Sequence, residues 1–204
     1  MSPKIAVIYY SSTGSVHALA GALAEGAEKA GAEVRVRRVA ELAPESAIDA
    51  NPAWRAHAGE SADVPVADHD DLRWADGYAF GTPTRFGNVA AQLKQFLDST
   101  GQLWLDGTFT SKPFTGFTST INLHGGSEAT LIALYLQAFH WGSVLVPPGY
   151  NDVSVPDAYG NPYGVSHPTK VGGARPDEKA LSAARFQGRY LATITGQLLA
   201  GLQN

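Results

Sequence analysis

Residues 4–20 read KIAVIYYSSTGSVHALA, and the fold follows from how this stretch changes character at its middle. Ile5 to Tyr10 is a nearly continuous apolar run, the mark of a strand buried on both faces. It stops abruptly at Ser11, Ser12, Thr13, Gly14 and Ser15. From there Val16, Leu19, Ala20, Leu23 and Ala27 fall at helical spacing over 15–30, and Gly31 is placed to end the helix. A strand that empties into a helix through so many small donors is built to hold something.

Working outward, residues 33–39 (EVRVRRV) alternate charged and apolar, which predicts a strand at a sheet edge with one face wet. Residues 40–70, with Pro44, Pro52 and Pro65, read as a long connection with one short helix near 68–74. A third strand is predicted at 77–81, an amphipathic helix at 88–98, a fourth strand at 113–119, a helix at about 127–140 and a fifth strand at 142–148. Residues 149–176 are rich in Gly, Pro, Tyr and Asn and read as a long loop of the kind that is functional or disordered. A last helix is predicted at about 177–201, opening on acidic residues. Five strands alternating with helices imply a doubly wound parallel α/β sheet. With the charged second strand at an edge, the flavodoxin-like order 2-1-3-4-5 is expected, in one domain spanning 1–204.

Bulk properties narrow the function. A net charge of −4 on 204 residues gives no reason to expect nucleic acid as partner. The absence of cysteine removes disulfides, thiolate nucleophiles and iron–sulfur clusters, and fits a cytoplasmic protein. No signal peptide is evident and no apolar run is long enough to span a bilayer. Six histidines without an H-x-x-x-H pair argue against a zinc site, and no metal is expected.

Ligands in such sheets sit beyond the carboxyl ends of the strands. Three loops leave those ends, at 11–16, 82–88 and 119–126, and all are rich in Gly, Ser, Thr and Asn. The first has no Lys or Arg and matches neither the nucleotide-triphosphatase nor the dinucleotide pattern. A small phosphate held by neutral donors at a helix N-terminus fits it, and simple helix capping is the alternative. In the second, Pro83 stiffens the turn, Gly87 admits a close ligand, and Thr84, Arg85 and Phe86 suit a flat heteroaromatic ring. The alternative is an ordinary turn with Phe86 tucked into the core. The third, Ser119-Thr120-Ile121-Asn122-Leu123-His124-Gly125, offers backbone donors to ring carbonyls or hydroxyls.

The segments YYSSTGSV, GTPTRFGN, FLDSTGQLW, STINLHGGSE and ARFQGRY occur in an order and spacing that resemble the WrbA-type flavodoxin-like NAD(P)H:quinone oxidoreductases, from Lys4 to about Leu199. The resemblance implies non-covalent FMN. Phosphate contacts fall on Ser11 through Val16, ring contacts on Pro83 through Gly87, and Ser119 through Gly125 line the other side. His140 matches the family's flavin-site histidine, and Trp104 a tryptophan associated with the quinone. Thr13 stands where the family often has tyrosine, and Trp141 where a second histidine often follows the first. As a departure from the family, Trp141 is expected to reshape the pocket above the ring; from the residues alone, Trp141, like Trp54 and Trp74, reads as a core or oligomer contact.

The resemblance further implies a homotetramer and ping-pong chemistry: hydride from NADH or NADPH to the flavin, then two electrons to a quinone. No catalytic acid–base residue is required. Two other readings stay open, a flavodoxin-like electron carrier and a regulatory protein that has lost its flavin.

Overall fold

The computed structural model describes residues 2–171 and 173–201. Its sheet is built on β1 (Lys4–Tyr9), β2 (Glu33–Arg38), β3 (Gly77–Pro83), β4 (Pro113–Thr120) and β5 (Val144–Leu145), in the expected order β2-β1-β3-β4-β5, all neighbours parallel. Alternation along β1 divides the core. Ile5, Val7 and Tyr9 join one apolar cluster and Ala6, Ile8 and Tyr10 the other, so the sheet is covered on both faces. On the first face lie α1 (Ser15–Lys29) and α9 (Glu178–Gly201); on the second lie α5 (Ala91–Asp98), α6 (Gly101–Leu105) and α7 (Ser127–Trp141). Residues of β2 are only partly buried, as an edge strand requires.

Four features depart from the sequence reading. Residues 40–70 hold α2 (Glu45–Asp49) and α3 (Pro52–Glu60) besides the expected α4 (His69–Trp74). Pro52 does not break α3 but starts it, where its missing N–H costs nothing, and the Asn51 side chain caps the helix by accepting from the Ala53 and Trp54 amides. The fifth strand shrinks to two residues. The 149–176 segment contains α8 (Ser154–Asp157) and a sixth strand, β6 (Ser166–Pro168), which pairs with Thr118–Thr120 of β4. Thus β5 pairs with the start of β4 and β6 with its end. Trp141, finally, is not a pocket residue. It is 3% exposed and stacks on Phe109 at 3.7 Å between ring centroids, because its position on α7 faces the core. Among the described residues no helix is long and apolar enough to cross a membrane.

The ARFQGRY segment ties α9 to the sheet and to α1. The Gln187 side chain is fully buried; it donates to Thr115 Oγ1 and the Gly116 carbonyl, both at 2.7 Å, and accepts the Val165 N–H at 2.8 Å. The next residue, Gly188, lies against the backbone of α1: a Cβ there would sit 1.9 Å from the Leu23 carbonyl oxygen. Gly26 of α1 makes the reciprocal approach to the Arg185 carbonyl. The two helices therefore meet backbone to backbone.

Between α1 and α3 lies a histidine pair, His57 buried and His17 half-buried. His17 Nδ1 bonds the Tyr9 hydroxyl, and the His17 and His57 rings are 5.2 Å apart. His57 Nδ1 is buried without a hydrogen-bond partner, 3.6 Å from a Glu60 carboxylate oxygen. Burial lowers both pKa values. For His57 the neighbouring His17 and Arg175 lower it further while Glu60 opposes; for His17, Arg175 lowers and Glu60 opposes.

Two expectations follow from this packing. Gly188→Ala should cost about 2–3 kcal/mol in urea unfolding, whereas Gly21→Ala on the exposed side of α1, with nothing within 4 Å, should be neutral or mildly stabilising. Because the folded state resists charging His17 and His57, their contribution is fully present above the ordinary histidine value of 6.5 and declines as pH falls below it. The urea midpoint should thus drop between about pH 7.5 and 5.5, and the double variant His17→Gln/His57→Gln should flatten that slope. An unchanged slope would assign the acid sensitivity elsewhere.

Candidate functional site

The parallel register brings the ends of β1, β3 and β4 level, with Tyr9 beside Gly81, Gly81 beside Phe117 and Pro83 beside Ser119. The three loops that leave them enclose a cavity of about 660 Å³. Its walls are Ser12 and Thr13 from the first loop, Pro83, Thr84, Arg85 and Phe86 from the second, and Ser119, Thr120, Ile121, Asn122 and Gly125 from the third.

The first loop is a tight turn. Gly14 sits at φ +94°, and Ser11 Oγ accepts its N–H at 3.0 Å. The Gly14 carbonyl takes the first helical bond, from Ala18, so the amides of Ser15, Val16 and His17 precede the hydrogen-bonded part of α1. Ser15 turns its hydroxyl towards the Ala174 carbonyl and Val16 packs in the core, so these two can meet a ligand only through their backbone N–H groups.

The second loop is a two-residue hairpin. Arg85 and Asn88 exchange backbone bonds of 2.8 and 3.1 Å across Phe86 and Gly87, both at positive φ. Thr84 anchors it: its N–H donates to the Ser119 carbonyl, and its hydroxyl bonds Thr130 Oγ1 and the Gly87 N–H. Phe86 is not tucked into the core. It is fully exposed at the cavity mouth, and its left-handed conformation, uncommon for an aromatic residue, is the one the two-residue turn requires. Arg85 reaches Ser12 Oγ at 3.4 Å and so bridges the first two loops.

The third loop is braced from within. Thr120 Oγ1 donates to the Asn122 carbonyl at 2.7 Å and the Gly125 N–H to the same carbonyl at 2.9 Å. A side chain at Gly125 would strike that carbonyl, and Gly126 at φ +90° starts α7. Leu123 and His124 point outward into solvent and do not line the cavity.

His140 and Trp104 are not brought to this cavity. The cavity abuts the start of α7, and His140 lies thirteen residues further on, about 20 Å along the helix. The Trp104 indole N–H donates to the His140 carbonyl at 2.9 Å, so the two form a separate, exposed pair.

Sequence reasoning missed one wall entirely. Asn51 and Ala53 of the α3 entry, and Thr169, Lys170, Val171 and Gly173 of the strap that follows β6, also line the cavity. Among the described residues the lining therefore carries two cations, Arg85 and Lys170, many neutral donors and no carboxylate. Such a lining favours an anionic or charge-accumulating ligand.

Comparison with known proteins identifies the family. The family model described as NADPH-dependent FMN reductase matches residues 3–155. A curated relative from Deinococcus radiodurans, named NAD(P)H dehydrogenase (quinone), is 43% identical, over 96% of this chain and 97% of its own. One of the same name from Geotalea uraniireducens is 41% identical, over 96% and 98%. A solved WrbA-like flavodoxin from Agrobacterium tumefaciens superposes with a TM-score of 0.69 at 25% identity, covering 96% of this chain and 99% of its own. An archaeal flavodoxin, at 18% identity and a TM-score of 0.61, shares the fold. The chain belongs to the NADPH-dependent FMN reductase family, in its WrbA-type quinone-dehydrogenase branch.

Proposed function

We infer that this chain is an FMN-dependent NAD(P)H:quinone oxidoreductase, with 1–204 acting as one FMN-binding unit. The observation that carries the reading is the carboxylate-free, doubly cationic cavity closed by three strand-end loops. The residues present fit a flavin mononucleotide: a glycine turn at a helix N-terminus for the phosphate, a stiff hairpin with an exposed aromatic for a planar ring, and a glycine-braced donor loop opposite. Bound FMN supplies the redox chemistry, taking a hydride from NADH or NADPH and passing two electrons to a quinone.

The chain's own residues then have these tasks. The amides following Gly14, with the hydroxyls of Ser12 and Thr13, hold the phosphate. Pro83 to Gly87 fix the plane and edge of the ring. Backbone donors of 119–125, with Arg85 and Lys170, stabilise the negative charge that accumulates on reduction. Phe86 offers the exposed face on which nicotinamide or quinone lies. The shared mouth supports ping-pong turnover, in which the two substrates alternate.

We place the protein in the cytoplasm and expect no nucleic-acid partner. For assembly, Ile132, Leu136 and Phe139 form an exposed apolar stripe along α7, continued by Trp104 and Leu105 of α6. This stripe supports association into a homotetramer that sets His140 and Trp104 of one copy near the cavity of another.

Purified protein should bind FMN. Without oxygen, NADH or NADPH should bleach it directly by two electrons, and benzoquinone should restore the oxidised spectrum. Bound flavin that ignores both nicotinamides, or accumulates a one-electron form, would indicate a carrier instead. Sedimentation should give a tetramer, and Leu136→Glu should shift it to smaller species with the fold retained. A wild-type monomer would refute the assembly.

A further inference from the structure

A phosphate monoester carries close to two negative charges at neutral pH, and a helix N-terminus offers only about half a positive one. The 11–16 turn adds neutral donors and no cation of its own. The missing charge arrives from 161 residues further along the chain. Arg175, at the end of the strap that follows β6, lays its guanidinium on the turn and donates from Nη1 to the Gly14 carbonyl at 3.0 Å. The approach is so close that a Cβ on Gly14 would fall 2.0 Å from Nη1 and 2.3 Å from Cζ. Gly14 is thus required twice, for its left-handed φ and for the space that Arg175 occupies.

Three contacts fix this arrangement. Glu60 at the end of α3 takes the other guanidinium nitrogen, and its carboxyl is held below its ordinary pKa chiefly by Arg175, so the pair is ionised at neutral pH. Ser15 Oγ reaches the carbonyl of the neighbouring Ala174, which also bonds His167 Nε2 at 3.1 Å. Arg175 and Glu60 are each about half exposed, at 45% and 53%, so their ion pair adds little to stability. It sets the position of the guanidinium instead.

The Gly14 carbonyl and the Ser15 N–H belong to one peptide unit. A cation on the carbonyl polarises that unit and strengthens its N–H as a donor. We propose that Arg175 is a positioning residue for the phosphate end of the cofactor, holding the Gly14–Ser15 peptide and setting a guanidinium, itself anchored by Glu60, beside a turn that has no cation of its own. The proposal rests on the FMN reading of the cavity. It also gives the strap a purpose, since Thr169, Lys170 and Gly173, which line the cavity, are tied to the phosphate turn through Arg175.

The test compares FMN with riboflavin, which has the same ring and no phosphate. Dissociation constants of both are measured for wild type, Arg175→Gln and Arg175→Lys, with circular dichroism as the check on folding. Arg175→Gln should weaken FMN about tenfold or more and riboflavin hardly at all. Arg175→Lys, which keeps the charge, should recover much of the preference for FMN, and added salt should erode that preference more in wild type than in Arg175→Gln. Equal weakening of FMN and riboflavin, or unchanged FMN affinity, would overturn the proposal. Wild type that binds neither flavin would instead remove the FMN reading, and the proposal with it.

Discussion

Everything at the functional end of this molecule depends on three parallel strands that end level. Because β1, β3 and β4 pair in register, the Ser11, Thr84 and Ser119 backbones arrive at one place without any loop having to cross the sheet. Gly81 makes this closure possible: a Cβ there would meet the Phe117 ring at 2.2 Å, so a side chain would push apart the strands that carry the second and third loops. The backbone contact of α1 with α9 and the buried Gln187 hold the sheet against its helices from below. The loops above inherit a rigid base.

On that base the electrostatics are built from distant pieces. The phosphate turn is neutral in sequence, and its cations come from the second loop as Arg85 and from the strap as Lys170 and Arg175. Among the described residues no carboxylate lines the cavity; Glu60, at the end of α3, is ionised and paired with Arg175. This separation suits chemistry in which the protein adds no acid or base and stabilises charge that develops on a bound group. It also explains why the strap between β6 and α9 is long: it must pass the cavity and return to the turn at the start of the chain.

The parts legible in sequence were those with strong local periodicity. The β1–turn–α1 unit and the edge character of β2 follow from local residue spacing, and the strand order was expected from the alternation of strands and helices with the charged β2 set at an edge. Proline was misleading at 52, because a proline in the first helical position after Asn51 looks like a breaker when the cap is not recognised. The strap was opaque for another reason. β6 has three residues and exists only by pairing with β4, and Arg175 finds its partner 161 positions away, where no local pattern reaches. Trp141 shows the same limit from the opposite side: a position aligned with a family's histidine turned out to face the core, stacked on Phe109. His140 and Trp104 came from resemblance, and within one chain they stand apart from the cavity.

The most direct measurement is a crystal structure of the protein grown with FMN. The phosphate should lie on the amides after Gly14, within reach of Arg175. The ring should stand between the 83–87 hairpin and the 119–125 loop, with Phe86 at its open edge. A flavin lodged elsewhere, or a cavity that stays closed to it while the protein binds FMN in solution, would contradict the assignment of the site to these three loops.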